Sequence, residues 1–145
     1  MVVGIIIVLT VLSVVGCIKI KNPTAKLLLG MNTIILLALL LLTGSYVYVT
    51  KYKITDIDSS VSPDGQYEVL FQSVGDPDWP FGHSHARITL KQDDKTIKQF
   101  KLDVANDGGV LHPENWQVSW DDTCVIITIS GGEQDDALYT LYYDR

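Results

Sequence analysis

The residues whose types and spacing are suited to chemistry lie in the second half of the chain. His83-Ser84-His85 places two imidazoles at alternate positions, so that on a strand both leave from one face, as metal ligands do. His112 or Asp107 would complete such a set. The same alternation puts Arg87 and Lys91 on that face, where cations oppose a bound metal, and no carboxylate follows at the next alternate position. Solvent-exposed histidines at a strand start are the plainer reading, and no metal is expected. Asp103, Asn106, Asp107 and Gly108 partly match a calcium loop but lack its ligand spacing and closing glutamate. Aspartates at such positions ordinarily serve turn geometry. Ser84, His112 and an aspartate would make a hydrolytic triad, yet no G-x-S-x-G elbow supports it. Cys124 sits in an apolar alternating run and is expected to pack as a small hydrophobe. Gly131-Gly132 reads as a hairpin turn, not a phosphate-cradling loop. On these residues the chain is expected to be non-enzymatic and to carry no cofactor.

Two loops are the natural place for a binding site, because loops carry function on a rigid scaffold. The first, residues 75–82, contains Trp79, Pro80 and Phe81; the second, residues 105–115, contains Asp107 and His112. These five residues are the candidate binding set. Trp79-Pro80-Phe81 would either cover one end of the β domain or form an exposed contact patch, and cover is the commoner use of such residues.

The elements that position these loops alternate with period two. Tyr67, Val69 and Phe71 share a face, as do Ala86, Ile88 and Leu90; Phe100, Leu102 and Val104; Trp116, Val118 and Trp120; Val125, Ile127 and Ile129; and Tyr139, Leu141 and Tyr143. That is strand patterning. Ser62-Pro63-Asp64-Gly65, Asp93-Asp94 and Asp121-Asp122 punctuate it at hairpin spacing. With a short strand near residues 55–61, about seven strands are expected, forming an all-β antiparallel meander, a small sandwich or open barrel. Ile97 and Phe100 are three apart, so either a bulge near Lys98-Gln99 or a later start to that strand is expected.

The first third of the chain is different. Residues 2–18 and 27–49 are uncharged apolar runs of 17 and 23 residues. As helices they reach about 25 and 35 Å, against a hydrocarbon core of about 30 Å. Two transmembrane α-helices in a hairpin are expected, turning at Asn22-Pro23 and contacting membrane lipid through both runs. Residues 1–53 form this anchor and residues 54–145 the β domain. Asn32 would hydrogen-bond to the first helix or lie near the interface. Lys19, Lys21 and Lys26 in the short loop favour a cytoplasmic loop and an extracytoplasmic β domain, with Lys51 and Lys53 opposing. Val14-Val15-Gly16-Cys17 resembles a bacterial lipobox, but the basic residues that begin such signals are missing, so Cys17 is read as an ordinary helix residue. Cys17 and Cys124 fall in different segments and no disulfide is expected.

All 17 acidic residues lie in residues 54–145, against six of the 11 basic ones, a formal balance of six minus seventeen, or −11. Such a domain is repelled by phosphate backbones, and no nucleic acid is expected as a partner.

The SPDGQY stretch from Ser62 to Tyr67 and the Trp120-Asp121-Asp122-Thr123-Cys124-Val125 hairpin resemble short bacterial membrane-anchored proteins of unknown function with an SPDG-turn β domain. The resemblance implies a bacterial, Gram-positive origin and no activity or site residues. The expectation is a membrane-tethered binding or accessory module of the cell envelope, its partner a membrane or envelope protein. The alternatives are an immunity or regulatory protein acting on an intramembrane target, and a metal- or ligand-sensing domain using His83 and His85.

Overall fold

The computed structural model describes residues 2–143. They fall into two compact units, one running through Val49 and the other beginning at Thr50.

The first unit is helical. Helix α1 spans Val2–Lys19 and α2 spans Pro23–Lys51. The connection is built by Asn22, whose side-chain oxygen accepts from Thr24 N at 3.0 Å and from Ala25 N at 3.3 Å. Pro23 takes the first helical position, where a missing N–H costs nothing. Three polar side chains are paired between the helices. Ser13 Oγ lies 2.8 Å from Thr33 Oγ1, and Asn32 Nδ2 donates to Ser13 Oγ at 3.2 Å. Of the two readings of Asn32, the structure selects the hydrogen bond to the first helix. Thr10 and Ser13 are the buried residues of α1, and none of α2 is buried. The apolar side chains point outward, with Ile18 77% and Leu41 73% exposed. Polar groups inside and apolar groups outside invert the order expected in water.

The second unit is all-β. Strands β1 (Ile54–Val61), β2 (Tyr67–Val74), β3 (His83–Gln92) and β4 (Lys95–Ala105) form one antiparallel sheet in chain order. Strands β5 (Trp116–Trp120), β6 (Cys124–Gly131) and β7 (Gln134–Tyr142) form a second. A single 3-10 turn, Pro113–Asn115, leads into β5. Both sheets are meanders, and they do not close into a barrel.

Turn chemistry sets the hairpins. Ser62 Oγ bonds Asp64 Oδ1 at 2.6 Å and receives Tyr67 N at 2.9 Å, while Gly65 takes φ +74°. Asp93 and Asp94 both take positive φ, 48° and 64°, in the two-residue turn that right-handed strand twist favours. The bulge in β4 falls at Ile97, one residue before the expected position: Lys91 pairs Thr96 and Leu90 pairs Lys98.

The two sheets share one core. Val69, Phe71, Ile88, Leu90 and Val104 meet Val125, Ile127 and Ile129, all fully buried. Phe71 stacks on Trp116 with ring centroids 5.3 Å apart, and Tyr67 stacks on Tyr143 at 4.2 Å. Two indole hydrogen bonds stitch β1 to β5: Trp116 Nε1 donates to Asp58 Oδ2 and Trp120 Nε1 to Ser60 Oγ, both at 2.9 Å. At the opposite margin Glu133 N donates to Ala105 O at 3.1 Å and Gln134 Oε1 accepts from Ala105 N at 2.8 Å.

Candidate functional site

The two candidate loops lie at one end of the β unit and are joined through their backbones. The 75–82 loop is clamped at its base, where Gly75 N donates to Lys53 O at 2.7 Å and Asp76 N to Thr50 O at 2.9 Å. Its neck is closed by Asp78 N to His83 O at 2.9 Å and Gly82 N to Asp78 O at 2.8 Å. The 105–115 loop docks on that neck: Gly108 N donates to Gly82 O at 2.8 Å, and the buried Ser84 hydroxyl donates to Gly109 O. Asn106 braces the second loop by donating to Val110 O at 3.1 Å and accepting from Gly132 N at 3.3 Å.

Glycine is required at the clamp. Gly75 has φ +69°, and a Cβ there would lie 2.9 Å from Lys51 Cα and closer still to Thr50 O. Backbone therefore packs directly on backbone, and the base of the loop has one position available to it.

With base and neck fixed, the apex projects into solvent. Trp79 is 92% and Phe81 75% exposed, and Pro80, joined to Trp79 by a cis peptide, is exposed between them. This differs from the commoner expectation that Trp79-Pro80-Phe81 covers the end of the domain. The loop residue that does enter the core is Leu111, from the other loop, at 4% exposure. Its neighbours Val110 and His112 are consequently turned outward.

Asp107 is exposed at φ 48°. His112 is exposed ahead of the 3-10 turn, its backbone N held by Asn115 Oδ1 at 2.8 Å. Asp103, Asn106 and Asp107 point to three different tasks, so they do not assemble the calcium-loop arrangement. Ser84 is 1% exposed and belongs to the core face, which separates it from His112 as a nucleophile–base pair.

His83 and His85 differ in their surroundings. His83 is exposed. His85 is held between two carboxylates: Nδ1 lies 2.7 Å from Asp103 Oδ1 and Nε2 lies 3.4 Å from Asp78 Oδ1. Lys51 Nζ approaches the same Asp78 oxygen at 3.5 Å. The carboxylates face opposite ring nitrogens, which suits an ion-pair bridge better than one shared cation. Among the described residues no three His, Cys, Asp or Glu side chains form a metal-holding group. The hydrogen bond to Asp103 above all raises the His85 pKa; desolvation, the next effect, opposes it, and the bond to Asp78 adds to the rise. The bond from His85 in turn holds the Asp78 carboxyl below its usual range. Neither Asp78 nor Asp103 stands out in the sequence as a partner of His85, because one lies in a loop and the other meets it only across strands.

A second polar group occupies the outer face of the first sheet. Gln72 Oε1 accepts from Arg87 Nε at 2.7 Å and from Thr89 Oγ1 at 3.0 Å, and Gln72 Nε2 donates to Asp56. These side chains satisfy one another across three strands, which is a structural use of polar groups.

Helix hairpin followed by a two-sheet β domain is the class that this architecture defines. Comparison of the chain with protein-family models, with curated proteins and with solved structures finds no match.

Proposed function

We propose that the protein is a membrane-tethered, non-enzymatic binding or accessory module of a bacterial envelope. Helices α1 and α2 cross the bilayer as a hairpin, and the β domain acts on a component of the membrane or envelope from the extracytoplasmic side. The observation that carries this reading is the polarity of the hairpin: Thr10 and Ser13 are the buried side chains of α1, Ser13 is hydrogen-bonded to Thr33 and Asn32 of α2, and the apolar surface is left uncovered. Hydrocarbon is the solvent for which that arrangement is stable.

Three features support the remaining parts. Lys19, Lys21 and Lys26 in and around the connection outnumber Lys51 and Lys53 at the far end of α2, which favours a cytoplasmic connection. The joined loop end exposes Trp79, Phe81 and Val110 together with Asp107 and His112, a mixture suited to contact rather than to catalysis. The envelope assignment rests on the resemblance of the 62–67 turn and the 120–125 hairpin to those of short bacterial anchored proteins.

The reading is tested by washing membranes that carry the full chain with alkaline carbonate. The chain is expected to stay with the lipid pellet, and quantitative release into the wash would contradict the tether.

A further inference from the structure

We infer that Trp79 and Phe81 enter the lipid–water interface, so that the β domain is held against the bilayer by a contact of its own in addition to α1 and α2. The inference deepens the proposed function by naming what this part of the loop end touches, and it rests on the reading of the helices as membrane spans.

The argument begins with where the chain leaves the apolar run. The uncharged stretch ends at Val49 and Thr50, and Lys51 and Lys53 follow. Tyr46, Tyr48 and Tyr52, all exposed, mark the same level, since tyrosine and tryptophan favour the headgroup region. Thr50 and Lys53 are therefore interfacial residues. The 75–82 loop is hydrogen-bonded to both of them, through Asp76 N and Gly75 N. Trp79 follows Asp76 by three residues, and at about 3.6 Å per residue its Cα stays within about 11 Å of that bond. Each interfacial layer is roughly 5–8 Å thick. The aromatic apex is thus confined to the neighbourhood of the interface by backbone geometry.

The side chains at the apex fit that place. Trp79 and Phe81 are 92% and 75% exposed, and Val110 is exposed on the loop docked beside them. Large rings left open to water on a rigid loop are costly unless something apolar receives them. The carboxylate beside Trp79 does not oppose insertion. Asp78 is paired with Lys51 at 3.5 Å and with His85 at 3.4 Å, so the acid nearest the apex is neutralised within the loop's own contacts. The contact is apolar in origin, and a zwitterionic phosphatidylcholine surface is sufficient for it.

The test places the full chain in phosphatidylcholine nanodiscs with and without bromine on the upper acyl carbons, which quenches tryptophan on contact. Wild type and Trp79→Phe are compared, so that the difference isolates Trp79 from Trp116 and Trp120. A third protein, Tyr48→Trp on the Trp79→Phe background, reports on α2, and the near-ultraviolet circular dichroism of the Phe71–Trp116 stack checks folding. Bromine quenching in wild type, its loss in Trp79→Phe and its return with Tyr48→Trp are expected. Quenching at Tyr48→Trp without quenching of Trp79 overturns the inference and leaves the spans standing. No quenching at either position overturns both. Protection of Trp79 from aqueous acrylamide without bromine quenching also overturns it, because a protein surface such as a second copy then covers the ring.

Discussion

His85 Nδ1 lies 2.7 Å from Asp103 Oδ1, and the two residues are opposite each other because β4 carries one extra residue, Ile97, in its pairing with β3. The Asp93-Asp94 turn alone would set Leu102 against His85. Past the bulge the register moves by one, and Phe100, Leu102 and Val104 face Ile88, Ala86 and Ser84. One irregularity therefore places the second half of β4 on the core and supplies the histidine with its carboxylate.

Inserting one alanine after Ile97 is expected to abolish the native fold, since past a one-residue bulge Gln99, Lys101 and Asp103 would then stand opposite the core-facing Ile88, Ala86 and Ser84. Ile97→Ala keeps the residue count and removes only a side chain that is 42% exposed, so a loss under about 1 kcal/mol is expected. Urea denaturation followed by tryptophan fluorescence distinguishes the two; a mild effect of the insertion would contradict the role given to the register past the bulge.

The His85 bridge makes a pH prediction. The histidine pKa is raised by Asp103 and Asp78, so its stabilising contribution is full below the usual histidine value of about 6.5 and is lost as pH rises through the raised folded value. Asp78 is lowered, so its contribution is present above the usual carboxylate value and is lost as pH falls through the depressed one. The bridge is strongest between those limits. Asp103→Asn is expected to bring the His85 titration, followed by proton NMR, back toward 6.5; an unchanged midpoint would show that the carboxylate does not govern it.

The stack between Phe71 and Trp116 joins the sheets at a ring separation of 5.3 Å. Phe71→Ala removes a fully buried ring, and a cost of about 3–5 kcal/mol is expected in urea or thermal unfolding. A loss below about 1 kcal/mol would mean that the two sheets are held elsewhere.

Gly65 and Gly75 have nearly the same backbone, φ +74° and +69°, but different surroundings. Around Gly65 nothing lies within 4 Å of an added Cβ, so Gly65→Ala carries backbone strain alone, about 1–2 kcal/mol. Gly75→Ala adds a clash with the backbone of Thr50 and Lys51, and a larger loss with faster amide exchange in the 75–82 loop is expected. Equal effects at the two sites would argue against the clamp.

The elements are legible in the chain because their signals are local. Seven strands follow from alternation and turn residues, and the helices from uncharged length. The helix ends reach Lys19 and Lys51, beyond the apolar runs, because a lysine stem extends a helix without breaking it. What is not legible depends on position in three dimensions. Asp103 becomes a partner of His85 through a bulge that hydrophobic spacing locates only to within a residue or two. Trp79 and Phe81 are turned outward, and the loop residue that enters the core is Leu111. The clamp on Thr50 and Lys53 consists of backbone hydrogen bonds, which leave no side-chain signature beyond the glycine at position 75.

The central claim, a β domain tethered to a membrane on its outer side, is tested most directly by thiol accessibility. Cys17 and Cys124 are replaced by alanine, and Lys95→Cys places one thiol at an exposed position beside the Asp93-Asp94 turn. Intact cells expressing this chain are treated with a membrane-impermeant maleimide, and lysed cells serve as the reference. The account predicts labelling of the membrane-bound chain in intact cells to the level reached after lysis. Labelling only after lysis, or a labelled chain that fractionates away from the membrane, would contradict it.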